Sequence, residues 1–125
     1  MTDPIADLIT RIKNAQAVSK SEVIMPYSNF KMAILSVMNK YHIIDSVEVL
    51  EDNAFKQIKI VFGENKICHI KRLSKPGRRL YVKSDKIPRP LRGLGLIVLS
   101  TPSGVISGRD AKKMKIGGEL ICEVW

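Results

Sequence analysis

Apolar residues recur first at helical and then at strand spacing, and the two periods divide the chain into elements. Ile5, Leu8, Ile9 and Ile12 lie three and four apart, on one face of a helix. Asp3 stands at the N-cap position and Pro4 at the first helical position, where a missing N–H is harmless. A short strand is expected at 23–25, ended by Pro26. Ser28 can then cap a second helix whose buried stripe is Phe30, Ile34, Val37, Met38 and Tyr41. That stripe reads as core.

The period then falls to two. Strands are expected at 47–50, 55–62 and 66–72, joined by the turn residues Asp52, Asn53 and 63–65; Ile58, Ile60 and Phe62 alternate as in a strand buried on one face. Ser74, Lys75, Pro76 and Gly77 break the pattern before a strand at 80–83 and a Pro-interrupted stretch at 87–91. Strand 96–99 has a fully buried character, Ser103 and Gly104 are expected to turn the chain, and 105–106 is a short return strand. Ser107, with Asp110 three residues on, resembles a capping box for a short helix through Ala111 and Met114, expected to stop at Gly117 and Gly118 before a last strand at 119–125. The order predicts an α+β fold of two small lobes, an N-terminal helix-strand-helix-strand-strand unit and a mainly β C-terminal lobe with one short helix. Residues 1–70 and 78–125 are the expected lobes, and 71–77 the linker. No internal repeat or low-complexity tract is visible.

A length of 125 residues with 45% hydrophobic content suffices for a core but for no more than one domain or two very small ones. The formal net charge of +9 points to an anionic polymer or surface. Its distribution sharpens this: residues 1–65 hold seven Lys/Arg against eight Asp/Glu, and residues 66–125 hold fourteen against four. No apolar run approaches the roughly 18 to 20 residues of a spanning helix, and the first residues are acidic where a secretory leader is basic, so a cytoplasm-like compartment is expected. Cys68 and Cys122, far apart and outside any CxxC pair, suggest neither a disulfide framework nor zinc; both are expected to pack as small hydrophobes.

Candidate chemistry is thin. His42 follows a helix, and His69 and Cys68, adjacent on an expected strand, should point to opposite faces rather than form a catalytic pair. Gly93 and Gly95 belong to no GxGxxG or GxxxxGK motif. Glu119 and Glu123 alone would make a poor metal site. What remains is a basic half with hydroxyls and glycines at 100–104 and 117–119, suited to phosphate attraction and to close approach to sugars and base edges in the wide minor groove of RNA. Tyr81 is the one aromatic residue considered as a stacking platform.

The segment LSTPSGVISGRDAKKMKIGGELICEVW resembles the hallmark of the small ribosomal subunit protein eight family. DPIADLITRIKNA from Asp3, the spacing of Pro26, Ser28 and Lys31, and LSKPGRRLYV from Leu73 fall in the family's order. The resemblance implies two α+β lobes and a structural, non-enzymatic protein of the small subunit, cytoplasmic or in an organelle stroma or matrix, with no cofactor or metal. Its implied partners are a helical stem in the central domain of small-subunit ribosomal RNA, neighbouring ribosomal proteins and, in some members, the protein's own messenger RNA, with no membrane partner. By motif position, Ser100, Thr101, Ser103 and Gly104 would form the loop entering an RNA minor groove and Gly117, Gly118 and Glu119 a second contact segment. Lys31, Arg78, Arg79 and Tyr81 would lie near the RNA backbone. The family's usual loop is Ser-Thr-Ser-Lys-Gly; Pro102 and Ser103 here remove a hydroxyl and a backbone donor at one position and a cation at the next, while Pro102 can preorganise the loop. The competing readings are an RNA-processing enzyme using His69 or Glu119, and a non-specific binder of nucleic acid or anionic membrane acting through charge.

Overall fold

The structure, a computed structural model, describes residues 3–52, 55–64 and 66–125. The turn residues expected at Asn53 and Asn65 lie outside the described residues. The chain forms two compact units, Met1–Ile67 and Cys68–Trp125.

The first unit runs α1 (Pro4–Ala17), β1 (Glu22–Pro26), α2 (Asn29–Lys40), β2 (Ser46–Asp52) and β3 (Phe55–Val61), in the expected order. Both caps form: the Asp3 carboxylate accepts the Ala6 N–H at 3.2 Å, and the Ser28 hydroxyl accepts the Lys31 N–H at 3.4 Å. Each satisfies a donor for which the helix has no partner. β3 is the middle strand of an antiparallel sheet ordered β1-β3-β2, with Ile58 opposite Met25 on one side and Val49 on the other. Met25, Ile58 and Ile60 are buried together with Leu8 and Ile12 of α1 and Ile34, Leu35 and Met38 of α2. The stripe expected for α2 needs correction: Phe30 and Tyr41 are half-buried, while Leu35 and Lys31 take buried positions.

The second unit holds β4 (Ile70–Arg72), β5 (Tyr81–Val82), β6 (Leu96–Thr101), β7 (Gly104–Ser107), α3 (Gly108–Met114) and β8 (Gly118–Val124), with short 3-10 turns at Ser84–Lys86 and Pro90–Gly93. Its strands are ordered β4-β8-β6-β7, with β5 also pairing β8. Ile87, Ile97, Leu99, Ala111 and Leu120 form a core, onto which Leu80, Val82 and Ile106 pack. The register between β6 and β8 shifts between Val98 and Leu99, leaving Ile121 as the extra residue of a bulge. Lys71 and Arg72, in the stretch expected to link the lobes, stand opposite Glu123 and Cys122.

Three local expectations change. The strand expected at 66–72 begins only at Ile70, because the N–H groups of Cys68 and His69 both donate to the Trp125 carbonyl, at 2.8 and 3.0 Å. Helix α3 ends before the glycines, since Lys115 itself takes the left-handed conformation (φ 59°, ψ 39°). The turn expected at Ser103 and Gly104 is centred on Pro102 and Ser103, and Gly104 already opens β7.

The cysteines also part company: Cys122 is buried as expected, but Cys68 is exposed. Burial, with the Glu123 carboxylate adding to it, pushes the Cys122 thiol up to about 12. Because the thiolate is the reactive form, a maleimide at neutral pH should label Cys68 in the native protein and Cys122 only in denaturant. Rapid native labelling of both thiols, read by mass spectrometry, would refute the burial of Cys122.

Candidate nucleic-acid interface

Eight cations balance eight acids in the first unit, whereas the second carries thirteen against four and hence the whole excess. Of the nine cations from Lys71 to Arg92, eight are exposed and Arg72 is half-buried. A surface this one-sided attracts polyanions at long range, but geometry must supply selectivity.

Four buried residues, Leu96 to Leu99, fix β6 in the core before it emerges at Ser100 and Thr101. Thr101 stands opposite Gly104 across the Pro102-Ser103 turn. Its hydroxyl accepts the Ser103 N–H at 3.1 Å and donates to the Gly104 carbonyl at 2.7 Å. With Pro102 restricting its own φ and Gly104 at φ +108°, a region open mainly to glycine, the tip is preorganised and Ser103 is exposed on it.

The second glycine-bearing segment lies against this hairpin. A Cβ on Gly118 would meet the Ser100 carbonyl inside van der Waals contact and Thr101 Cγ2 at 3.0 Å. One on Gly117 would meet the Val82 carbonyl and lie 2.8 Å from Lys83 Cα. Glycine at both positions therefore lets β8 approach β5 and β6 closely.

One row crosses three strands: Tyr81 is opposite Glu119, and Glu119 opposite Ser100. Facing residues of antiparallel strands share a face, so the three side chains emerge side by side, with Tyr81 69% exposed. The Glu119 carboxylate accepts the Ser74 hydroxyl at 2.6 Å and Arg79 Nη1 at 3.3 Å. Arg78, exposed, closes a tight turn with Lys75 through two backbone hydrogen bonds of 2.9 Å.

Ser100, Thr101, Ser103, Gly104, Gly117, Gly118, Glu119, Arg78, Arg79 and Tyr81 thus all fall in the second unit, and most of them surround one hairpin. Lys31 does not. It lies in the first unit, is 5% exposed, and its ammonium is hydrogen-bonded and ion-paired with Asp7. Asp7 also accepts Arg11 Nε at 2.9 Å. These partners, the Lys31 hydrogen bond foremost, hold the Asp7 carboxyl below its ordinary value of 3.8 against the opposing effect of desolvation.

The groups considered for catalysis have other partners. His69 Nε2 lies 3.0 Å from Glu123 Oε1, and its ring stacks on Trp125 at 4.0 Å. The residue that sequence reasoning missed is Ser74, whose partner Glu119 lies 45 positions along the chain. Next to Pro76 and Gly77 it carries only the local signature of a loop. Among the described residues no helix is long and apolar enough to cross a membrane.

The family model for ribosomal protein S8 matches residues 3–125. The chain is similar to the small ribosomal subunit protein uS8 of Thermus aquaticus, 44% identical, with 100% of this chain and 99% of the relative covered. The uS8 of Desulfovibrio desulfuricans is 43% identical over 100% of this chain and 99% of its own length. The uS8 of Clostridium tetani is 43% identical, over 100% and 98%.

Proposed function

This chain belongs to the ribosomal protein S8 family, and on that premise we propose that the face around the β6–β7 hairpin binds a helical stem in the central domain of small-subunit ribosomal RNA. The protein is a structural component of the small ribosomal subunit, in the cytoplasm, and not an enzyme. It binds ribosomal RNA and assembles with neighbouring ribosomal proteins.

The observation that carries the proposed face is the close approach of Gly118 to Ser100 and Thr101, at the base of a hairpin whose exposed tip is preorganised, on the unit that holds the whole net charge. A hairpin of this kind, bearing hydroxyls and little side-chain bulk, suits the wide, shallow minor groove of an RNA helix. Ser103 presents a hydroxyl at its tip, Tyr81 an exposed ring on the row that runs through Glu119 to Ser100, and Arg78 and Arg79, just before Tyr81 in the chain, supply phosphate attraction. The protein's own messenger RNA, where it carries a stem of the same shape, would compete for this face.

The test is a titration of a transcribed central-domain stem against a plain duplex of equal length, over a range of salt. Both affinities should fall steeply as salt rises while the preference for the stem persists, because released counterions report phosphate contacts and the preference reports shape and groove contacts. Ser103→Ala should reduce that preference by about 1 kcal/mol, roughly fivefold, the worth of an ordinary hydrogen bond. Equal binding of stem and duplex at every salt concentration would leave a binder that acts through charge and overturn the proposal.

A further inference from the structure

We propose that Ser74 is a positioning residue whose buried hydroxyl fixes the Glu119 carboxylate so that Oε1 accepts a hydrogen bond from an N–H or O–H donor of the bound RNA. The inference rests on the reading of this face as the RNA-binding one and adds to it a residue from outside both glycine-bearing segments.

A carboxylate on such a face is an anomaly, since it repels the phosphates that the surrounding cations attract. Two features of the structure make sense of it. Arg79, largely exposed, places its guanidinium 3.3 Å from Oε2, which offsets the charge locally. Ser74, 3% exposed, donates its hydroxyl proton to the same oxygen at 2.6 Å.

The hydroxyl is held at both ends. While donating to Glu119 it accepts the Leu80 N–H at 3.0 Å. The Ser74 main chain is fixed as well, with its N–H donating to the Leu120 carbonyl at 3.1 Å and its carbonyl accepting Arg72 Nε at 2.7 Å. A hydroxyl with its one proton committed and its position set by four bonds gives the carboxylate a single direction to align with.

Both stronger contacts therefore fall on Oε2. Among the described residues, Oε1 receives one contact from Arg79, at the 3.5 Å limit of a hydrogen bond. The side chain is 18% exposed, in the row between Tyr81 and Ser100. An ionised carboxylate oxygen only accepts, so it rewards a donor and rejects an acceptor. In the minor groove of a paired RNA stem, where the imino N–H groups are engaged in pairing, the donors are the guanine exocyclic amino groups and the 2′-hydroxyls.

A purely architectural role for Ser74, closing the turn before β5, predicts something different. Ser74→Ala would then act equally whether position 119 carries a carboxylate or not. Positioning predicts coupling, which a double-mutant cycle on the full-length protein measures.

Ser74→Ala is expected to lower the preference for the central-domain stem over plain duplex about three- to tenfold with an unchanged salt slope, since no phosphate contact is lost. Glu119→Gln should lower it at least as much, and the double variant no further than Glu119→Gln alone. Additive losses, or no loss in Ser74→Ala, would overturn the inference. If Ser74→Ala unfolds below the assay temperature, Ser74→Cys carries the same cycle, because its thiol is a weaker donor of similar size. Stems carrying 2′-deoxy or des-amino nucleotides identify the donor: the substitution that erases the difference between wild type and the Ser74 variant marks it, and failure of both removes the acceptor role. A wild-type protein with no preference for the stem would remove the reading of the face itself. An intact preference without coupling would remove only Ser74.

Discussion

Gly118→Ala is expected to lower the stability of the protein by about 3 kcal/mol, at the upper end of what overpacking costs, and to abolish its preference for structured RNA. The new Cβ would strike the Ser100 carbonyl and sit 3.0 Å from Thr101 Cγ2. The obstacle at Ser100 is main chain in a strand paired on both sides, not the end of a side chain that can swing away. Relief therefore means parting β8 from β6, which would disturb the hairpin and the Glu119–Ser100 pairing together. Gly104→Ala provides the contrast. Nothing lies within 4 Å of its added Cβ, but its φ of +108° makes the substitution conformationally costly, about 1–2 kcal/mol, and local to the tip. Denaturant melts should show a lower midpoint for both variants with little change in slope, and the larger drop for Gly118→Ala. A Gly118→Ala protein that melts with wild type would mean that the close approach of these segments does not exist.

What was legible in the chain was what local chemistry decides. Asp3 and Ser28 sit where caps belong and form them, and the alternation of Ile58 and Ile60 marks a strand buried on one face. The α+β order, the mainly β second half with its one short helix, and the places of both glycine-bearing segments follow from short-range signals of this kind. What was not legible depends on partners distant in sequence. β4 is shortened because the Trp125 carbonyl takes the N–H groups of Cys68 and His69, more than fifty residues away. Ser74 becomes buried and committed through Glu119 and the Leu120 carbonyl, although its neighbours Pro76 and Gly77 spell a loop. Lys115 ends α3 in a left-handed conformation that favours glycine, two residues before the glycines that were expected to do so. Those glycines serve the close approach of strands, a need that a capping rule does not see.

Lys31 is the sharpest case, and Asp7→Asn is expected to lower stability by about 2–3 kcal/mol at neutral pH. Removing one partner of a buried ion pair costs about 3–5 kcal/mol because the other charge is left uncompensated. The figure is reduced here because the Asp7 side chain is 38% exposed, so water reaches one side of the pair. Lys31→Met should cost less, since it removes the buried charge together with its desolvation penalty and leaves Asp7 with Arg11 at 2.9 Å. Acid provides a second check. The folded-state value of the Asp7 carboxyl is depressed below 3.8, so the unfolded chain binds its proton first as pH falls. The contribution is therefore complete above the unfolded value, near 4, and is lost as pH drops through the lower folded value; Asp7→Asn should lack this segment of the acid unfolding curve. The same variants decide how the Lys31 cation is used. If its charge is committed to Asp7, Lys31→Met leaves the slope of log affinity against log salt for RNA where it was. A slope shallower by about one would place Lys31 on a phosphate, as the family resemblance implies, and would require the pair with Asp7 to open when RNA binds.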